Sequence, residues 1–304
     1  MQVIYEGVDI YPEISVGRCW HDMHAYSAMD SLQVDFGDIN GIWDKWNPKA
    51  GDTIEIRDGA ARTGKMYIAH VTPKSSQMQV TAYPAPQSMR ERRNRSWQRV
   101  RLLQLVSEIA RTNGMEWESY GLDNPEYAYV EQDNESDLAF LNRRLTLESA
   151  ALIIFDGKLI AYSSQWMESQ ASNGEVEIRA GLDYTFRDDS NLAYGSCTVT
   201  DGSTTSTFTV GQGKSLNRVI QGRISNVAEA SRFAKGLLRE ANRDAVEMTI
   251  RTDSMLRQYA AGSVLTLHAD KAASWDGKAF VKAMRHDYYD SRCKLWLTKP
   301  LEGY

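Results

Sequence analysis

The chain has 304 residues and a mass of 34.4 kDa, which is long for one ordinary domain and suits two or three. An apolar fraction of 42% and a charged fraction of 25% exclude wholesale disorder, and the longest apolar run, Ala150 to Phe155, is too short to cross a bilayer. The net charge of −5 hides a segregation into blocks of −7 (residues 1–60), +8 (61–115), −11 (116–190) and +5 (191–304), the pattern of surfaces that meet complementary surfaces within one chain or between copies.

Residues 1–88 read as β-structure. The opening Met1-Gln2-Val3-Ile4-Tyr5-Glu6 lacks the basic and long apolar regions of a secretory signal. Ser31–Phe36 and Asp52–Ile56 alternate apolar with polar residues, and Met66–Val71 and Met78–Tyr83 follow before Pro84 and Pro86. Short strands at this spacing predict a small barrel or sandwich. Residues 89–170 read as an α/β connecting segment. Val100, Leu103, Val106, Ile109 and Ala110 predict a helix over 96–113 with Ser96 as its cap and Gly114 as its stop. A second helix is expected over 136–148, with Leu138, Leu141 and Leu145 as its stripe and Asn134 and Asp137 at capping-box spacing. Glu116–Glu118 and Tyr127–Val130 read as extended, and Leu152–Phe155 with Lys158–Tyr162 form a hairpin about Asp156-Gly157. Residues 171–304 return to β-structure, with a Thr-rich hairpin at Asp201-Gly202, a helix over 227–242, and strands to the end.

Two stretches resemble each other. Gly51-Asp-Thr-Ile54-Glu-Ile56, Gly64-Lys65-Met66-Tyr67-Ile68 and Gln79-Val80-Thr81 match Gly262-Ser-Val264-Leu-Thr-Leu267, Gly277-Lys278-Ala279-Phe280-Val281 and Lys294-Leu295-Trp296. A repeat near 210 residues is no solenoid; it predicts two similar β-domains flanking an inserted unit. Three such chains under cyclic symmetry would present six similar domains in a ring.

The run Glu131-Gln132-Asp133-Asn134-Glu135-Ser136-Asp137-Leu138 through Leu145, with the hairpin at Asp156-Gly157-Lys158-Leu159, resembles the tail baseplate hub proteins of contractile-tailed phages, the late control D family. Asp35-Phe36 through Trp43-Asp44-Lys45-Trp46 to Gly51-Asp52-Thr53-Ile54 is similar to that family's first barrel, and Asp276-Gly277-Lys278 through His286-Asp287-Tyr288-Tyr289 to its second. The resemblance implies an α+β, mainly β fold with two small tube-like β-barrel domains flanking an α/β segment. These are an N-terminal barrel over 1–88, a connecting domain over 89–170, and a second barrel in the C-terminal part of 171–304. It implies a non-enzymatic homotrimer without cofactor, joining the hexameric tail tube protein to a trimeric central spike protein. The tape measure protein and baseplate wedge proteins would be further neighbours, and DNA would only pass through the lumen. The protein would sit in the virion tail baseplate, assembled in the bacterial host cytoplasm without a membrane anchor. Because the chain ends soon after the second barrel, the spike is expected to be a separate protein.

Candidate sites follow from residue chemistry. Cys19, His21 and His24 are metal-ligand types within six residues, but no fourth ligand lies nearby, and the segment reads as a strand edge or loop. Glu131, Asp133, Glu135 and Asp137 carry the alternative reading, a tail-associated cell-wall glycoside hydrolase, which needs two carboxyls across a sugar-sized cleft. A helix-start role explains Asp137 as well. Arg90, Arg92, Arg93, Arg95, Arg99 and Arg101, with Trp97, are phosphate-binding types; they are read instead as an interface for an acidic surface such as the 116–190 block of a neighbouring copy. Trp43 and Trp46 lie in a connection between strands, where an interface or, less simply, a glycan platform is expected.

Overall fold

The computed structural model describes residues 1–304 apart from Ser27, Asn40, Ile42, Asp44, Lys45, Ala180, Asp270 and Lys271. The N-terminal third forms β1 (Gln2–Tyr5), β2 (Val16–His24), β3 (Ser31–Gly37), β4 (Thr53–Asp58), β5 (Met66–Lys74) and β6 (Gln77–Tyr83). The middle contains β7 (Arg92–Arg101), α1 (Leu102–Thr112), β8 (Glu116–Tyr120), β9 (Glu126–Ser136), α2 (Asp137–Leu147), β10 (Ala150–Phe155) and β11 (Lys158–Ser163). Then come β12 (Glu175–Ile178), β13 (Asp183–Asp188), β14 (Tyr194–Thr200), β15 (Thr205–Thr209), β16 (Lys214–Val219) and α3 (Val227–Asn242). The chain closes with β17 (Val246–Arg251), β18 (Val264–Ala269), β19 (Gly277–Asp287) and β20 (Arg292–Thr298).

The fold is mainly β, and its largest sheet is made of the two stretches that resemble each other. Apart from the two-residue strands Val8–Asp9 and Ala61–Arg62, the sheet contains two sets of six strands, ordered β1-β4-β5-β6-β3-β2 and β12-β18-β19-β20-β17-β13. The registers agree residue by residue. Tyr67↔Tyr83, Ile68↔Ala82, a bulge and then His70↔Thr81 in one set match Phe280↔Thr298, Val281↔Leu297, a bulge and then Ala283↔Trp296 in the other. The Gly51 amide donates to the Ile68 carbonyl at 2.8 Å, and the Gly262 amide donates to Val281 at 2.8 Å. Both glycines hold positive φ, 98° and 91°, where a side chain would be strained. The sets differ at one end, since β1 is antiparallel to β4 while β12 is parallel to β18.

β19 of the second set pairs with β2 of the first, so both sets belong to one continuous sheet over one apolar core that includes Phe36, Ile54, Met66, Ile250, Leu265 and Leu295. Among the described pairings the strands follow an open path, with no closed ring. A second core gathers Leu105 and Ile109 of α1, Phe140 and Leu141 of α2, Phe233 and Leu238 of α3, and Cys197 and Val199 of the small sheet β15-β14-β16. A third, smaller cluster of Tyr26, Ala151, Tyr162, Val264 and Phe280 lies between them. No described helix is long and apolar enough to cross a membrane.

One helix start and one helix cap differ from the sequence reading. The helix expected from Ser96 begins at Leu102, because β7 continues to Arg101 by pairing with β9, with Trp97 opposite Val130 and Ser96 opposite Glu131. The first-turn amide of Leu103 is capped from outside by Asn124 Oδ1 at 2.9 Å. α2 starts where expected, but its cap is Ser136, whose hydroxyl accepts from the Ala139 amide at 3.2 Å. Asn134 instead lies at a bulge of β9 with φ 48°.

Candidate functional site

The distinctive constellation is the seam between the two six-strand sets. β19 and β2 pair antiparallel with Ala283↔His24, Met284↔Met23, Arg285↔Asp22, His286↔His21 and Asp287↔Trp20. On one face Arg285 makes a fork to Asp22, Nε to Oδ1 at 2.6 Å and Nη2 to Oδ2 at 2.8 Å, and lies over the Trp20 ring at 4.6 Å. The Trp20 indole donates to Asp287 at 2.9 Å. The opposite face is core, with Cys19, His21, Met23, Met284 and His286 all buried. Burial, together with the charges of His286 and His24, lowers His21 to about 3, and burial lowers His286 to about 4. Burial pushes the Cys19 thiol up and raises Asp30, 3.9 Å from His21, to about 7. These imidazoles are therefore neutral packing groups at physiological pH.

This geometry corrects the reading of Cys19, His21 and His24 as a strand edge or loop. β2 is an interior strand with partners on both sides, β3 and β19. Strand alternation puts Cys19 and His21 inward and His24 on the other face, so the three do not converge on one point.

The arginine-rich segment is β7, and much of its charge is met within the chain. Arg95 reaches Gln132 Oε1 at 2.9 Å and also bonds the fully buried Asp137, while Arg101 lies 3.7 Å from Glu126. Arg93 donates to the Ser88 carbonyl at 3.1 Å, and Arg90 lies over the Tyr83 ring. Arg92 is exposed, on the opposite face of the strand from Arg93 and Arg95. The acidic block that the arginines were expected to find in a neighbouring copy is thus supplied in part by β9 and α2 of the same chain.

Glu131, Asp133 and Glu135 line a cleft of about 830 Å³ between β9, α2, α3 and residues 219–223. Glu135 is ion-paired with Arg143, whose Nη2 also donates to the Glu131 carbonyl at 3.1 Å. Asp137 is sealed in the Arg95, Gln132 and Asn113 network. Glu135 is thus engaged by a guanidinium, and Glu131 and Asp133 come from the same strand, β9, so the three carboxylates belong to one wall of the cleft and do not face each other across it.

Trp43 is a core residue, 2% exposed, packed 4.3 Å from the Phe36 ring and 5.4 Å from Trp46. Trp46 is half-buried and stacks on Tyr5. Asp44 and Lys45, which complete that run, lie outside the described residues. A further buried group was not anticipated from the sequence. Glu168 accepts from Tyr26 Oη at 2.9 Å, from Arg239 Nη2 at 2.6 Å and from the Leu301 amide at 3.0 Å. The seam residues Trp20, Asp22, Arg285 and Asp287 were also missed; aligning the two repeats strand by strand would have marked β2 and β13 as equivalent edges and raised the question of what covers each.

The family model described as phage tail baseplate hub (GPD) matches residues 39–291. No curated protein sequence matches the chain. Among solved structures the fold is similar to the 43 kDa tail protein of prophage MuSo2 from Shewanella oneidensis, at TM-score 0.73 and 9% identity over 98% of this chain and 97% of that one. It is likewise similar to the tail protein from Neisseria meningitidis MC58, at TM-score 0.75 and 12% identity over 98% and 95%. The E. coli c3393 protein, a component of the type VI secretion system, aligns at TM-score 0.61 and 13% identity over 100% of this chain and 78% of that one. At these identities the likeness is one of fold.

Proposed function

The chain belongs to the phage tail baseplate hub (GPD) family, and on that premise we propose that it is a trimeric, non-enzymatic adaptor joining a hexameric tail tube to a trimeric central spike. The observation that carries the reading is the pair of six-strand sets with matching order and register in one sheet. Three chains under cyclic symmetry supply six near-equivalent units to a sixfold partner, while the chain as a whole repeats only three times and suits a threefold partner. The mechanism is geometric, a conversion of symmetry, and asks no side chain to perform chemistry. The fold shared with a type VI secretion component supports a spike as the threefold partner.

In this reading the two six-strand sets are the tube-like domains, the protein resides in the tail baseplate after assembly in the host cytoplasm, and DNA crosses the ring without specific contacts. Tape measure and wedge proteins are its further neighbours. Of the candidate contact residues, exposed Arg92 and half-buried Trp46 are assigned to subunit or partner contacts, with Arg90, Arg93 and Arg95 as their support. The test is co-expression with the tube and spike proteins of the same tail, followed by size-exclusion chromatography. A complex containing all three is expected, and a chain that elutes alone from both partners would overturn the adaptor role.

A further inference from the structure

The guanidinium of Arg144, on α2, is buried without a carboxylate of its own. The residue is 7% exposed, and its guanidinium lies over the Tyr127 ring of β9 at 4.4 Å and the Phe233 ring of α3 at 5.2 Å. Aromatic faces attract the cation but accept no hydrogen bond in its plane. Nε and Nη2 of Arg144 are buried and have no hydrogen-bond partner among the described residues. The neighbouring carboxylate is already used: Glu148 accepts from the Tyr127 hydroxyl on Oε1 and from Arg232 Nε on Oε2, each at 2.9 Å. Arg144 and Arg232 around one carboxylate leave a surplus of one positive charge. Nε and Nη2 are the two donors of one guanidinium edge, the pair with which Arg285 grips Asp22 and Arg57 grips Glu55, each at 2.6 and 2.8 Å. That edge matches one further carboxylate in shape and charge.

Arg144 also lines the cleft of about 830 Å³ between β9, α2, α3 and residues 219–223, together with Leu147 and half-buried Leu237. Exposed residues line it as well. Val219 is 77% exposed and Tyr129 39% exposed, and Glu131, Asp133, Arg223 and Glu240 are exposed too. With Arg143 engaged by Glu135, the exposed charges of the cleft are three acids against Arg223, a net −2.

We propose that this cleft receives the C-terminal end of a partner protein of the same tail. The terminal carboxylate meets Arg144, an apolar last side chain packs against Leu147 and Leu237, and basic residues a few positions upstream lie beside Glu131, Asp133 and Glu240. The choice of partner rests on the tail hub reading above, while the site itself needs only one copy of the chain. The cleft falls within the roughly 300–1,000 Å³ of sites that enclose a ligand. A chain end brings a carboxylate and an apolar side chain to one place, as Arg144 and the two leucines require. An acid-rich segment or a nucleic acid would be repelled by the exposed acids, whereas a basic tail is drawn in. A neutral saccharide would leave the buried guanidinium uncompensated. Because nothing bonds the Nε and Nη2 edge, Arg144 can slide along the Tyr127 face toward the cleft without breaking a hydrogen bond from that edge.

The test uses synthetic C-terminal peptides of the proteins encoded with this chain in one tail, the tube, spike, tape measure and wedge proteins among them. Each is made as free acid and as amide, and binding to the full chain is read by fluorescence anisotropy. At least one free acid is expected to bind, and its amide to bind about tenfold or more weakly. Arg144→Met, which leaves a linear apolar side chain between the two rings, is expected to bring the free acid down to the affinity of the amide, with the circular dichroism and mass of the chain unchanged. Asp133→Lys, at an exposed site, is expected to weaken binding severalfold while the acid remains preferred over the amide. The absence of binding by every free acid, equal binding of acid and amide, a preference for the acid that survives Arg144→Met, or an affinity unmoved by Asp133→Lys would each overturn the site. If no peptide binds while the chain still copurifies with tube and spike, the site falls and the adaptor reading stands; if the chain also elutes alone from both, the two fall together.

Discussion

Removing the Glu168 carboxylate, as in Glu168→Ala, should destabilise the chain more than any surface change. Glu168 and Arg239 are both under 5% exposed, and their contact at 2.6 Å joins the short helix Ser164–Ser169 to α3. The same carboxylate holds Tyr26, in the connection after β2, and the Leu301 amide after β20. Burial and the Glu168 charge push the Tyr26 hydroxyl's pKa up, so it remains a donor across the working pH range. Loss of one partner from a buried ion pair costs about 3–5 kcal/mol, because the other charge is left without compensation. At about 2–4 °C per kcal/mol for a chain of this size, Tm should fall by on the order of 10 °C. The assay is thermal and urea unfolding of wild type, Glu168→Ala, Arg239→Met and the Glu168→Leu/Arg239→Met double variant. The double variant should cost clearly less than the sum of the Glu168→Ala and Arg239→Met losses, since it buries no orphaned charge. A loss below about 1 kcal/mol for Glu168→Ala, or strictly additive losses, would refute the reasoning.

Acid should loosen the seam. The unfolded chain protonates both seam imidazoles below about 6.5, while native His21 and His286 resist until about 3 and about 4; native Asp30, raised to about 7, retains one proton that the unfolded chain releases above 3.8. The unfolded state thus binds about one more proton, and stability should fall by about 1.4 kcal/mol per pH unit from about pH 6.5 to about pH 4; a flat urea midpoint across that window would contradict this. Gly236→Ala should destabilise although alanine favours helices, because its Cβ would lie 2.3 Å from the Thr146 carbonyl where α3 crosses the end of α2; a raised Tm would show that the backbones can part. Trp43→Ala should cost about 3–5 kcal/mol as a core truncation and Trp46→Ala far less; equal losses in urea unfolding would place the two rings in one environment.

The strands of the repeat were readable because each carries its own period-two pattern. Gly51 and Gly262, or Gly64 and Gly277, mark turns whose backbone needs glycine whatever lies around them. The helix over 227–242 was equally readable, with Phe233, Ala234 and Leu238 recurring on one face. The start of α1 was not, because the apolar period of Val100 and Leu103 continues across the point where β9, from 25 or more residues along the chain, captures β7 into a ribbon. The seam was invisible for the same reason at greater range. Asp22 and Arg285 are 263 residues apart, and nothing local in either segment distinguishes an interior strand from an edge. Trp43 illustrates the converse: its polar neighbours suggested a surface, but the ring turns onto Phe36. For the arginines of β7 the sequence points to an acidic surface such as that of a neighbouring copy; Arg95 and Arg101 find acids on α2 and β9 of the same chain.

The central claim is that two equivalent strand units per chain serve a ring of three chains. Its most direct measurement is the absolute mass of the purified chain in solution, by light scattering, alone and with its spike partner. The account predicts three times 34.4 kDa for the chain component, with six similar densities around a threefold ring when the particle is imaged. A single-chain mass under both conditions would contradict it.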